Sequence, residues 1–179
     1  MTRSRNIQVR PERPDDHPAV FELNLRTFQR PTEAQLVERL RPVVKPLVSL
    51  VAMADQQLVG HILFTPAQID GSHQRLAMGI GPMAVHPERQ RQGIGSRLLQ
   101  VGIDACRIAA IELLFVVGEP AFYQRFGFRL AEPLGLRFHH DTSPHPLLVT
   151  AIRPAMLGGL RGVVQYPPMA ALRQAPTAS

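Results

Sequence analysis

The segment Met83-Ala-Val-His-Pro-Glu-Arg-Gln-Arg-Gln-Gly-Ile-Gly-Ser-Arg97 concentrates the residue types that bind an anion. An apolar strand pattern ends at Val85, a loop with two glycines follows, and a long amphipathic helix pattern begins at Ile94. The first N–H groups of a helix have no partner inside it, and they lie at the positive end of its dipole. Gly93 and Gly95 remove side chains where those N–H groups would meet a ligand. Arg89, Arg91 and Arg97 add formal charge around the same point. The chemistry this predicts is phosphate binding through backbone N–H groups. Two common phosphate loops do not fit. A Walker A loop needs Gly-Lys-Ser/Thr, and the only lysine is Lys45. The dinucleotide fingerprint needs a third glycine where Leu98 stands.

The elements that must position this loop can be read from periodicity and turn residues. Ile7 to Arg10 alternates as a first strand. Asp15 and Asp16 are placed to cap a helix running to about Phe28. Thr32-Glu-Ala-Gln35 has the capping-box pattern, and the helix it opens should stop before Pro42. Leu47 to Ala54 and Leu58 to Ala67 form a hairpin around Asp55-Gln-Gln57. Leu76 to Val85 is a further strand, broken by Gly79, Gly81 and Pro82, where a bulge is expected. Ile94 to Ala110 is the strongest helix pattern, with Leu98, Leu99, Gly102, Cys106 and Ala109 on one face. Leu113 to Val117 is a short buried strand, Pro120 to Phe126 a short helix, and Gly127 begins another strand. Leu147 to Ile152 and Arg161 to Tyr166 complete the strand candidates. A strand, helix and strand between residues 76 and 117, flanked by hairpins, give a mixed sheet with helices on both faces.

Gln90-Arg-Gln-Gly93-Ile-Gly95 resembles the Gln/Arg-x-x-Gly-x-Gly/Ala signature of the GNAT superfamily of acyl-CoA-dependent N-acetyltransferases. Val85-His-Pro-Glu-Arg89 resembles that family's strand end, and Phe122-Tyr-Gln-Arg-Phe-Gly-Phe128 its downstream Phe-Tyr-x-x-x-Gly-Phe. Gly118 to Tyr123 and Gly159 to Pro167 are similar to the YhbS-type branch of bacterial acetyltransferases. The order of elements agrees over nearly the whole chain. The resemblance implies an α/β, mostly antiparallel GNAT-like sheet that splits between its fourth and fifth strands. It implies acetyl transfer from acetyl-CoA to a primary amine of a small molecule or peptide, by direct attack. Backbone groups of Met83, Ala84 and Val85 would pair with the pantetheine amides, and a freed N–H there would polarise the thioester carbonyl. Gln90, Arg91, Gln92, Gly93, Ile94, Gly95 and Ser96 would hold the pyrophosphate. Tyr123 matches the family's general acid, a phenol placed to protonate the leaving thiolate. Tyr166 has no such match and is assigned a structural role. One departure stands out: Val116-Val-Gly-Glu-Pro120 lacks the asparagine that many family members carry there. Glu119 is then read as a cap of the short helix. Glu33, Glu38, His61 and Glu119 are the available bases, and none has a motif of its own. The acceptor walls would come from the first two helices, the strand after Gly127 and the loop near His139. An alternative reading is a CoA-binding sensor or partner-binding module with little turnover.

Composition sets the remaining bounds. A chain of 179 residues, 45% hydrophobic and 19% charged, reads as one globular domain. Residues 1–166 form that domain, and 167–179, small, polar and proline-containing, form a tail expected to be loose. A single cysteine, Cys106, excludes an internal disulfide and a four-cysteine zinc site. His139-His140-Asp141 with His145 matches no standard metal spacing, so no metal is expected. No apolar stretch approaches the ~20 residues that a spanning helix needs, so no membrane is expected. No apolar run follows the basic N-terminus, so no secretory signal is read and the cytoplasm is the expected location. The net charge of +6 comes mostly from arginine, and the pI is near 10.9. Those arginines are scattered rather than clustered, which argues against nucleic acid as a partner. The expected partners are acetyl-CoA and an amine acceptor, with the oligomeric state, a homodimer included, left open.

Overall fold

The computed structural model describes residues 7–70, 75–139, 144–153 and 157–166. The notch in the sheet is built from the hairpin outward. Strands β2 (Val48–Ala54) and β3 (Gln57–Ile69) pair antiparallel. Asp55 and Gln56, at φ of 51° and 64°, form the tight turn between them. Two left-handed residues in a row match the right-handed twist of the flanking strands. β1 (Gln8–Pro11) pairs on the outer side of β2, and β4 (Ala77–Val85) on the other side of β3. β4 then pairs parallel with β5 (Leu113–Val117), and the crossover between them is α3 (Ile94–Ile108). β8 (Leu147–Ala151) and β6 (Arg129–Leu130) extend the sheet antiparallel beyond β5. The spatial order is β1-β2-β3-β4-β5-β8-β6. β7 (Leu136–Phe138) pairs parallel with β9 (Gly162–Gln165), and β9 also pairs with the far end of β3. This is the mixed, mostly antiparallel sheet that the sequence implies.

Alternation along the hairpin sorts the core into two faces. Leu50, Ala52, Ile62 and Phe64 pack with Leu98 and Leu99 of α3. Val51 and Leu63 pack with Val20 of α1 (His17–Phe28) and with Leu36, Val37 and Leu40 of α2 (Thr32–Val43). Helices therefore cover both faces. A further cluster, including Phe115, Leu136, Val149, Val164 and Tyr166, lies where β7 and β9 meet the main sheet. Helix α3 approaches β3 closely at Gly102, where an added Cβ would lie 2.2 Å from Phe64 Cζ. Alanine is ordinarily the better helix former by about 1 kcal/mol. Here overpacking, typically ~1–3 kcal/mol, outweighs that gain. Gly102→Ala is therefore expected to lower the melting temperature in a thermal unfolding experiment.

Several local expectations are corrected. Asp16 does not cap α1 with its side chain. Its carboxylate accepts from Arg10 Nη1 and Nη2 at 2.6 and 2.9 Å and from the Arg13 N–H at 2.7 Å. A bidentate guanidinium plus a backbone donor outcompetes a single cap bond, and it holds Asp16 down at about 2. Nor does the capping box of α2 form: Pro31 is the N-cap, and no side-chain cap bond is made. Gln35 N–H donates instead to the Pro31 carbonyl at 2.9 Å. α2 continues through Pro42 to Val43. In the last turn the proline costs one helical N–H bond, and Val44 N–H still reaches the Leu40 carbonyl at 2.9 Å. Glu119 supplies its backbone carbonyl, not its side chain, to the turn that opens α4 (Pro120–Tyr123). β7, only three residues long, has no counterpart in the sequence reading.

A polar chain runs beneath α1. Ser49 Oγ lies 2.6 Å from Glu12 Oε2 and 3.0 Å from His61 Nε2, and Asn24 Nδ2 lies 3.3 Å from His61 Nδ1. The bonds run one way: Asn24 donates to Nδ1, Nε2–H to Ser49, and the Ser49 hydroxyl to Glu12. Arg41 Nη2 closes the chain on Glu12 Oε1 at 2.6 Å. Complete burial pushes the His61 imidazole down to about 4. His61 is thus a satisfied core histidine, remote in role from a freely titrating base. An imidazole that titrates near 6.5 unfolded and about 4 folded binds fewer protons in the native state. Its contribution is fully present above about pH 6.5 and is lost as pH falls towards 4. The loss across that window is on the order of 3 kcal/mol. Asp16 adds its own loss only below its unfolded value, 3.8. Denaturant titrations at pH 7 and pH 4.5 should show the drop, and His61→Gln should flatten it.

Candidate functional site

The sheet is paired on both sides of β4 only as far as Ile80. The parallel β4–β5 ladder runs from Ala77↔Leu113 to Ile80↔Val116 and ends there. On the opposite side β4 stays paired with β3 through Met83, Ala84 and Val85. Residues 81–85 therefore carry a backbone edge that pairs with no strand among the described residues. A bulge produces the divergence. Ile62 faces Met83 and Phe64 faces Ile80, so Gly81 and Pro82 oppose the single Leu63. Gly81, at φ 147°, occupies backbone space that a side chain disfavours. An extra residue on one strand bends it and re-aims its groups. The break thus falls at Gly81 and Pro82, two of the three residues where the sequence places it, while Gly79 stays paired with Thr65 and Phe115.

At the end of β4 the loop turns into α3. Gln90 Nε2 donates to the Val85 carbonyl at 3.2 Å, and Gln92 Nε2 to the Glu88 carbonyl at 3.2 Å. Thr27 Oγ1 also reaches the Val85 carbonyl, at 3.3 Å. The two glutamine side chains fold the loop onto its own carbonyls. Gly93 is the N-cap of α3 at φ 82°, and Arg91 is left-handed as well, at φ 59°. The first helical bond is Arg97 N–H to the Gly93 carbonyl at 2.9 Å. The N–H groups of Ile94, Gly95 and Ser96 precede it and have no acceptor within the helix. Nothing lies within 4 Å of a Cβ built on Gly93. A Cβ on Gly95 would meet Phe122, Val85 and Met83 at 3.7, 3.7 and 3.8 Å, ordinary contact distances. The protein's own packing therefore does not demand glycine at position 95. The cradle is open on its outer side, as an anion approaching the backbone requires. Arg91 and Arg97 are exposed beside it, and Arg89 has a buried Nη1 with no hydrogen-bond partner. Loop, glycines and arginines fit a pyrophosphate.

Tyr123 ends α4 and is buried. Its ring meets Phe122 edge-on at 4.9 Å and Phe128 at 5.6 Å, which fixes its direction. Burial pushes the phenol up to about 12, so it holds its proton at neutral pH. Tyr123 and Met83 pack with the α3-side core, yet both also line a cavity of about 370 Å³ at the split. Phe28, Glu33 and Leu36 close that cavity from α1 and α2, and Phe138 and Tyr166 from the β7–β9 end. The cavity thus joins the unpaired edge of β4 to the opposite face of the sheet. Of the expected acceptor walls, the first two helices are present. The strand after Gly127 instead gives Leu130 to a neighbouring cavity of about 450 Å³, which also includes Arg137 and His145. His139 is exposed; His140 and Asp141 lie outside the described residues.

Tyr166, read from the sequence as structural, belongs to this site as well as to the core. Its ring lies over Gly79, where an added Cβ would come within 2.3 Å of it. Tyr166 and Val117, which lies just past the point where β5 leaves β4, both line the cavity. Burial pushes this phenol up as well. No local signal marks Tyr166, because only the non-local pairing of β9 brings it here. Among the other expected candidates, Glu33 reaches the cavity and His61 is locked in its own network. Glu38 pairs with Arg41, and the Glu119 carboxylate lies 3.8 Å from His145. Cys106 is buried against Met78, and burial pushes its thiol up to about 12. Among the described residues there is no group of three or more potential metal ligands, and no helix long and apolar enough to cross a membrane.

Comparison with known proteins converges on the same assignment. A family model described as an acetyltransferase (GNAT) domain matches residues 8–131. The Escherichia coli protein named as the uncharacterized N-acetyltransferase YhbS is 31% identical over 159 residues, covering 88% of this chain and 95% of that one. A crystal structure of E. coli YhbS in complex with CoA superposes with a TM-score of 0.86 at 29% identity, covering 96% of this chain and 95% of that one. A Brucella melitensis GNAT acetyltransferase in complex with acetyl-CoA gives a TM-score of 0.75 at 28% identity, covering 91% and 97%. With the split sheet, the glycine cradle and these relatives together, the chain belongs to the GNAT acetyltransferase family and is an acyltransferase of the N-acetyltransferase type.

Proposed function

We propose that the protein transfers the acetyl group of acetyl-CoA directly to a primary amine. The observation that carries this reading is the unpaired edge of residues 81–85, which opens at one end onto the Gly93–Gly95 cradle and at the other onto Tyr123. The pyrophosphate is held by N–H groups of Ile94, Gly95 and Ser96, within the loop Gln90 to Ser96. The pantetheine arm lies along Met83, Ala84 and Val85 as an added strand, so the thioester arrives at the cavity. The CoA complex of YhbS and the acetyl-CoA complex of the Brucella protein support the choice of donor.

The chemistry then balances with the groups present. The neutral amine attacks the thioester carbonyl, and a backbone N–H on the bulged strand stabilises the oxygen as it becomes negative. The C–N bond forms and the C–S bond breaks. Tyr123 gives its proton to the departing thiolate and recovers one from the new amide nitrogen. A phenol pushed up to about 12 is a weak acid in water. Beside a thiolate developing in the same dry cavity it remains an effective hydrogen-bond donor. The test is free-thiol release from acetyl-CoA with a panel of primary amines. Amine-dependent release above the hydrolysis background is expected, and tight binding of acetyl-CoA with no release for any amine would contradict the assignment.

A further inference from the structure

The acceptor side of the cavity has a marked asymmetry. Its walls on that side are Phe28, Leu36, Val117, Phe138 and Tyr166, all apolar or aromatic. Glu33 is the one charged residue among those lining it. Phe138 and Tyr166 form a tilted aromatic pair, with centroids 5.1 Å apart. Tyr166 is buried and its ring is packed over Gly79, which holds this wall in place. Glu33 is only 15% exposed, whereas Arg30, its partner, is 65% exposed. Arg30 Nε donates to Oε1 and Oε2 at 3.0 and 3.1 Å, and Arg30 Nη2 donates to Oε1 as well. A carboxylate has about four acceptor sites, so one remains, on Oε2, for a second donor.

We infer that the acceptor is a primary amine carried on a compact, flat, apolar body, with Glu33 as the anchor for its ammonium group. The inference rests on the acetyl-transfer reading above and narrows it. An apolar pocket with a few convergent polar groups selects by burying the body and pairing the head. The aromatic pair receives the body, and Glu33 receives the head as an ammonium and draws it into a cavity shared with Tyr123; the head gives one proton to water before the neutral nitrogen attacks. A sugar amine would leave its hydroxyls unpaired against these walls, and a polyamine would bury a second charge there. Both carry a desolvation cost that the cavity does not offset.

The test compares phenethylamine with glucosamine and spermidine in the thiol-release assay. Direct binding of phenethylamine to the CoA-loaded protein is followed by calorimetry in parallel. Phenethylamine is expected to have a kcat/KM at least about tenfold above either polar amine, as burial of a flat apolar group implies. Glu33→Gln should raise its KM by about ten- to a hundredfold, the scale of a charged hydrogen bond, with acetyl-CoA affinity unchanged. Phe138→Ala should raise the KM of phenethylamine more than that of ethylamine, with melting curves run on both variants. If Glu33 serves only its ion pair with Arg30, Glu33→Gln shifts the melting temperature and leaves KM alone, which overturns the inference. Preference for glucosamine or spermidine overturns it while acetyl transfer stands. Phenethylamine that binds wild type but not Glu33→Gln, with no thiol released from any amine, overturns the transfer reading and leaves the amine site in place. Neither binding nor release overturns both.

Discussion

Gly95→Asp should leave the protein folded and reduce its affinity for acetyl-CoA by on the order of a hundredfold or more, a few kcal/mol. The structure separates the two halves of this expectation. A Cβ at position 95 would meet its nearest neighbours at 3.7 Å, an ordinary contact distance, so it fits without a clash. Gly95 also lies in helical rather than left-handed backbone, in the first turn of α3. A carboxylate at the N-terminal turn of a helix is, if anything, favourable for the helix itself. Its cost falls on a ligand that is also an anion and needs the same N–H groups. Gly93→Asp is a poorer probe, because φ 82° at that position would be strained by any side chain. Calorimetric titration of the Gly95→Asp protein, beside its melting curve, reads both quantities. An unchanged affinity in a folded variant would remove the loop from the cofactor site.

Tyr123→Phe is expected to lower kcat by ~10²–10⁴-fold while acetyl-CoA affinity holds, when thiolate expulsion limits the rate. The substitution keeps the ring and hence the edge-on contacts with Phe122 and Phe128. Only the hydroxyl is lost, and it is needed where negative charge gathers on sulfur. An interaction made mainly in the transition state appears in kcat rather than in ground-state binding. If the hydroxyl mattered only to packing, the loss would appear as about 1 kcal/mol of stability, the scale of one hydrogen bond. Steady-state kinetics beside thermal melting for this one variant distinguishes the two. Full turnover with a lowered melting temperature would make Tyr123 a core residue.

The parts of the molecule legible in the sequence are those whose cause is local. Asp55-Gln56 announces a tight turn because neighbouring residues must turn there. Leu113–Val117 appears as a strand at its observed limits because it is a short apolar run buried on both faces. α3 shows its face through Leu98, Leu99 and Cys106, and the break in β4 shows itself through Gly81 and Pro82. The turn through Gly93 into α3 is legible for the same reason, since loop, glycines and helix start are contiguous. Competition and distance decide what is not legible. Asp16 looks like a cap until Arg10, brought back by β1, takes its carboxylate. β3 runs past Ala67 to Ile69 because β9, nearly a hundred residues away, pairs with its end. β7 and Tyr166 depend on that same pairing. The far wall of the cavity is assembled from α1, α2, β7 and Tyr166 after β9, and no single stretch of sequence contains its pattern.

In the proposed mechanism the acetyl group passes from the CoA thioester straight to the amine, with the protein holding both. A single-turnover experiment tests it most directly, with enzyme in excess over acetyl-CoA and phenethylamine added from a second syringe. Free thiol and acetylated amine should appear together, only after amine is added, and the intact mass of the protein should stay unchanged throughout. Thiol released before amine is added, accompanied by an acetylated form of the protein, would contradict the account.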